Sequence, residues 1–251
     1  MTVHPKIHRP TATTLLALAV LAVIAVGCGK TAERKDAAPA ADTVQTAAVA
    51  PNVISGTFTD SRDGKTYRTV RIGKLTWMAE NLNFVTESSV CYENDESICQ
   101  KYGRLYNWND AMKACPAGWR VPSDEDWDSL ALAAGGQCVK DGYDGYDWKF
   151  AGKKLKSTIG WNDWEDDDGK LVSGNGTDEI VFSALPGGGR WGDGDFYGAG
   201  NFDGWWSATE GDASYAWRRY MDINYGNVLR GNYGKTLLFS LRCVRDFAAP
   251  Q

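Results

Sequence analysis

Hydrophobic and polar residues alternate from Thr57-Phe58-Thr59, across Arg62-Asp63-Gly64, into Thr66-Tyr67-Arg68-Thr69-Val70-Arg71-Ile72. Period-two alternation on both sides of an Asp-Gly turn predicts a β-hairpin. Gly73-Lys74 makes a second turn into Leu75-Thr76-Trp77-Met78. The period then lengthens: Leu105, Trp108, Met112 and Cys115 are spaced by three and four residues, which predicts a helix. A second helix starts at Ser123, with Asp126 in the place of the usual capping-box Glu. It carries Trp127, Leu130 and Ala134 on one face and stops at Gly135-Gly136. From 137 to 203 glycine, aspartate and tryptophan replace long apolar runs. Short strands are expected again at Ile180–Leu185, Trp205–Thr209, Ser214–Ile223 and Leu237–Val244. This order of elements predicts an α+β domain with two helices, short antiparallel sheets and a long irregular loop region.

The N-terminal pattern is different. Leu15 to Val26 is an uninterrupted apolar run of 12 residues behind Lys6 and Arg9. That is short of the roughly 20 residues needed to span a bilayer, and it fits a signal peptide over residues 1–27. Ala25-Val26-Gly27-Cys28 resembles a bacterial lipobox, which makes Cys28 the expected lipid attachment point. Gly29, rather than Asp, after that cysteine implies outer-membrane localisation. Residues 30–55 hold eight Ala, two Pro and no aromatic residue. Such a segment buries too little apolar surface to offset its ordering entropy, so 28–55 is expected to be a flexible tether. The folded domain is assigned to 56–247.

Composition narrows the chemistry. The chain has 251 residues and is 43% hydrophobic, and every Trp, Tyr and Phe lies at or after Phe58. The two histidines, His4 and His8, fall inside the signal segment. A mature chain without histidine excludes Ser-His-Asp and Cys-His nucleophile systems and His-ligated metals. The formal charge is −5, and loss of Lys6 and Arg9 makes the remainder more acidic. No basic surface for nucleic acid is in view.

Ordered blocks then carry a resemblance: Asp60-Ser61-Arg62-Asp63-Gly64-Lys65-Thr66-Tyr67, Thr76-Trp77-Met78-Ala79-Glu80-Asn81-Leu82, Tyr102-Gly103-Arg104-Leu105-Tyr106-Asn107-Trp108, Cys115-Pro116-Ala117-Gly118-Trp119-Arg120-Val121-Pro122-Ser123, Phe182-Ser183-Ala184-Leu185-Pro186-Gly187-Gly188 and Leu241-Arg242-Cys243-Val244-Arg245-Asp246. In this order they resemble the Fibrobacter succinogenes major paralogous domain family. The resemblance implies a C-type-lectin-like fold, related to the formylglycine-generating enzymes, and implies no established activity. It also implies that the first helix is tied to the last strand by Cys115–Cys243. Cys91 and Cys99, with seven residues between them, form a plausible local bridge. Cys138 is then left as an unpaired bystander.

Two constellations remain as candidate sites. Asp163, Glu165, Asp166, Asp167 and Asp168 concentrate oxygen ligands suited to Ca²⁺, although the spacing departs from an EF-hand and fits a solvated acidic turn better. The aromatic-rich stretch supplies Trp191, Tyr197, Trp205, Trp217, Arg218 and Tyr220 as candidate ligand-binding residues. Flat rings beside Asp, Asn and Arg suit sugar rings, whose C–H faces stack on aromatics. Consecutive Trp205-Trp206 must face opposite sides of a strand, so at least one is expected outside the core. Gly187-Gly188-Gly189-Arg190 lacks the Lys-Ser/Thr of a P-loop and is expected to be a tight turn. The expected function is non-catalytic: a lipid-anchored envelope protein with a ligand-binding or adhesion domain for polysaccharide or an envelope protein. A formylglycine-type oxidase and a structural assembly module are the alternatives.

Overall fold

The structure is a computed structural model that describes residues 53–140 and 146–247. The expected hairpin forms from β1 (Ile54–Thr59) and β2 (Thr66–Ile72), paired antiparallel with Phe58 opposite Tyr67. Its turn is held by Asp60, whose carboxylate accepts the Arg62 backbone N–H at 3.0 Å and the Arg62 guanidinium Nη2 at 2.6 Å. β3 (Leu75–Met78) follows through Gly73, which adopts a φ of 62° that a side chain would strain. Next come α1 (Glu96–Tyr102), α2 (Trp108–Ala114) and α3 (Asp124–Ala133), each begun by an Asx or Ser cap at Asp95, Asn107 and Ser123. At α3 the capping box is complete: Ser123 Oγ accepts from the Asp126 N–H, and Asp126 Oδ2 accepts from the Ser123 N–H at 2.8 Å.

The irregular region holds several small pieces. β4 (Gln137–Val139) pairs with β5 (Asp147–Lys149), and α4 (Ala151–Leu155) follows. β6 (Asp163–Glu165) pairs with β7 (Leu171–Ser173), and β8 (Gly189–Arg190) pairs with β9 (Phe196–Tyr197). Three long strands form one antiparallel sheet: β10 (Phe202–Glu210), β11 (Tyr215–Asp222) and β12 (Leu229–Gly234). β13 (Val244–Asp246) then returns to the first sheet, whose order is β1-β2-β3-β13. The described residues form an α+β fold with four α-helices and short antiparallel sheets.

Two hydrophobic clusters hold these pieces together. One joins Val70, Ile72 and Trp77 of the first sheet to Trp127 and Leu130 of α3, and to Phe182, Trp205 and Met221. Its rings meet edge-on or tilted, with Trp77 5.0 Å from Trp127 and 5.6 Å from Phe182. The other joins Met78, Tyr106, Ala111 and Ala114 to Trp206, Phe239 and Leu241. Trp205 and Trp206 do face opposite sides of β10. Each side is covered by a cluster, and both indoles are fully buried, which corrects the expectation that one lies outside the core.

Other expectations are revised as well. α1 and α4, of seven and five residues, are added to the two expected helices, and β12 is an additional strand. Ile180–Leu185 is not a strand, because Val181 and Ser183 adopt φ of 57° and 53°. Within Leu237–Val244, residues Leu238, Phe239 and Ser240 make single bridges to Arg190, Tyr106 and Trp205, and regular pairing begins only at Val244. The two expected disulfides are present, Cys91–Cys99 and Cys115–Cys243. Cys138, expected to be unpaired, is not free of a partner. Residues 1–27, most of 28–55 and Cys28, the expected lipid attachment point, lie outside the described residues. Among the described residues no helix is long and apolar enough to cross a membrane.

Candidate functional site

The faces of the β10–β12 sheet differ in chemistry. Toward α3, the fully buried Arg219 guanidinium lies 2.9 Å from Asp128 Oδ1 and 3.4 Å from Asp124 Oδ1, so that charge is matched. Trp217 is on this face, beneath the Arg230 guanidinium at 3.2 Å. The opposite face carries Phe202, Gly204 and Trp206 from β10, Ala216, Arg218 and Tyr220 from β11, and Leu229, Gly231 and Tyr233 from β12. The register places Trp206 and Gly231 on either side of Arg218 and Gly204 beside Tyr220.

Arg218 is the centre of this face. Its guanidinium carbon lies 3.7 Å from the Tyr233 ring centroid, 4.1 Å from Phe239, and 4.9 Å from both Phe202 and Tyr220. The lack of a side chain at Gly204 permits this approach, since a Cβ there would sit 3.0 Å from Arg218 Nη1. The β8–β9 hairpin lays a further ring against the cage. Gly189 leaves room for it, because a Cβ there would sit 3.0 Å from the Tyr197 ring. The Tyr197 hydroxyl accepts from Arg218 Nη1 at 3.4 Å, and burial pushes its pKa above the usual tyrosine value.

From the cage, rings run outward in a continuous row. Tyr220 and Phe202 are 5.7 Å apart, Phe202 and Tyr197 5.6 Å, and Tyr197 and Trp191 4.2 Å. Trp191 lies almost parallel to Tyr197, at 13°, and is 40% exposed. The row therefore passes from a buried cation to an exposed indole. Trp191, Tyr197, Arg218 and Tyr220, four of the six expected residues, are brought together. Trp205 drops out: its indole N–H donates to Asn81 Oδ1 at 2.8 Å in the core. Trp217 is separated by the thickness of the sheet. Phe202, Tyr233 and Phe239 complete the cage and were not among the expected site residues. Strand alternation carries the signal for the first two, and Phe239, outside any regular strand, carries none.

The acidic run forms a β-hairpin and its turn. Asp163 and Glu165 sit in β6, and the turn from Asp166 to Gly169 closes the β6–β7 hairpin. The Asp166 carboxylate accepts the N–H groups of Asp168 at 3.2 Å and Lys170 at 2.9 Å, so it caps the turn. Asp163, Glu165, Asp166, Asp167 and Asp168 do not bring three carboxylates within 4.8 Å of one another. Among the described residues the one such grouping is Cys91, Glu96 and Cys99, whose sulfurs are joined in a disulfide.

Elsewhere a cleft of about 330 Å³ is lined by Lys65, Glu80, Asn81, Asn83, Lys101 and Gly103. Asn81 at its wall belongs to a buried network. Its Nδ2 donates to Asp203 Oδ2 at 3.0 Å and Ser240 Oγ at 3.1 Å, and its Oδ1 accepts from Arg242 Nε at 2.9 Å. Arg242 reaches onward to the carbonyls of Phe182 and Ser183. These groups satisfy one another and tie the last strand segment to the 178–187 loop.

Among known families, the model of the Fibrobacter succinogenes major domain matches residues 70–245. No curated protein and no solved structure matches the chain.

Proposed function

Because this chain belongs to the Fibrobacter succinogenes major domain family, we propose that it is a lipid-anchored envelope protein of the outer membrane, attached through Cys28, whose C-type-lectin-like domain binds saccharide without catalysis. The aromatic row is the observation that carries this reading. A stacked pair with an exposed indole at the end of four rings presents flat apolar surface to a polar ligand, as sugar binding requires. The oxidase alternative needs reactive thiols. Cys91, Cys99, Cys115 and Cys243 are closed in two disulfides, which supports the non-catalytic reading.

Retention of the detergent-extracted, full-length protein on immobilised polysaccharides tests this directly. Trp191→Ala and Tyr220→Ala should weaken retention at least tenfold, with the melting temperature little changed. Trp205→Ala should instead cost about 3–5 kcal/mol of stability, as loss of a buried Trp does. Failure of every polysaccharide to retain the wild type, or equal melting losses in all three variants with unchanged retention, would overturn the reading.

A further inference from the structure

Four arginine side chains are buried: Arg104, Arg218, Arg219 and Arg242. Arg104 pairs with Glu96, Arg219 pairs with Asp124 and Asp128, and Arg242 donates to Asn81 and to two carbonyls. Among the described residues Arg218 alone of the four has neither a carboxylate nor a carbonyl oxygen as partner. It is 3% exposed, and its one polar contact is the long bond to the Tyr197 hydroxyl. Nε is sealed and unpaired. Nη2 also lacks a protein partner, but it is not sealed from solvent. The surrounding rings attract the cation through their faces. They offer no lone pairs to the guanidinium edge, and a buried cation without an acceptor is costly. The open Nη2 donor of this cation matches one oxygen of a carboxylate.

We infer that the ring row takes an acidic saccharide, with the carboxylate of a sugar acid accepting from Arg218 while the sugar ring stacks on the neighbouring aromatics. The inference rests on the saccharide-binding reading above and narrows its ligand class. The net charge of −5 opposes gathering of polyanions in general, so the selectivity resides in this one cation. Asp193 and Asp195, exposed in the β8–β9 turn beside Trp191, work against it and limit affinity.

The test titrates full-length protein in detergent with oligomers of polygalacturonate, alginate and hyaluronate, each beside its carboxyl-reduced form, and with poly-glutamate. At least one acidic oligomer should bind tenfold or more tightly than its reduced form, and poly-glutamate should not bind. Arg218→Lys, which keeps the charge but removes the guanidinium Nη2 donor, should abolish the tenfold preference. If that variant does not fold, Asp193→Asn with Asp195→Asn, both exposed, should tighten the acidic oligomer severalfold and leave the reduced one unaffected. Equal affinity for acidic and reduced forms, with Trp191→Ala abolishing both, would overturn the acid preference and leave the saccharide reading standing. Poly-glutamate binding as tightly as the acidic oligomers would overturn the saccharide reading while retaining the need for an anion. Retention of none of the oligomers would overturn both.

Discussion

Asp203 has no exposed surface, and burial pushes its carboxyl up to about 7, against hydrogen bonds from Ser240 and Asn81 that favour the ionised form. The unfolded chain releases this proton near pH 4, so at intermediate pH the folded state holds a proton that the unfolded state has lost. The stability contributed by the neutral carboxyl is complete below about pH 4 and is lost as the pH rises through about 7. The melting temperature of the wild type relative to Asp203→Asn should therefore fall by several degrees between pH 5 and about 7.5. A constant difference across that range would refute the protonated state. The same network explains a local failure of pattern reading. Ile180-Val181-Phe182-Ser183-Ala184-Leu185 has strand composition, yet Arg242 claims the carbonyls of Phe182 and Ser183, and Asp178 claims the N–H and hydroxyl of Ser183. A partner some sixty residues away overrides local propensity.

At the scale of elements, α3 is the clearest case in which residues dictate structure. Ser123→Ala removes the acceptor for the Asp126 N–H and should cost about 1 kcal/mol, or roughly 2–4 °C in melting temperature for a chain of this size. A shift below one degree would mean that tertiary packing alone holds the helix start. The first hairpin and α3 were legible because alternation, a turn glycine and a capping residue coincide within a dozen residues. α1 and α4 were not, since seven and five residues complete too few turns to show a period. The site was legible in part for the same reason. Alternation in β11 places Arg218 and Tyr220 on one face and Trp217 on the other. It does not reveal that β10 is covered on both sides, so Trp205 passed for a binding residue. In the acidic run composition supplies oxygen atoms but not their convergence, and the β6–β7 turn directs the N–H groups of Asp168 and Lys170 onto the Asp166 carboxylate.

For the whole molecule, the proposal that Cys28 carries the lipid predicts that Cys28→Ser moves the protein to the soluble fraction or leaves it unprocessed. Detergent phase partitioning and intact mass decide it, and unchanged values of both would refute the assignment. The described domain begins at β1, an edge strand of the first sheet, and ends at β13, the opposite edge of that sheet. Between them Cys115–Cys243 closes a loop of sequence separation 128 that contains every residue of the aromatic row. This arrangement has a mechanical consequence. A pull on the chain at Val53 meets β1 first and can peel it from β2 one hydrogen-bonded pair at a time. Extension that continues inward is arrested at Cys115, where the load passes through a covalent bond to Cys243 rather than along the intervening backbone. The ring row lies inside that closed loop, so a pull between Val53 and Phe247 can stretch the molecule without drawing out the strands that would hold its ligand.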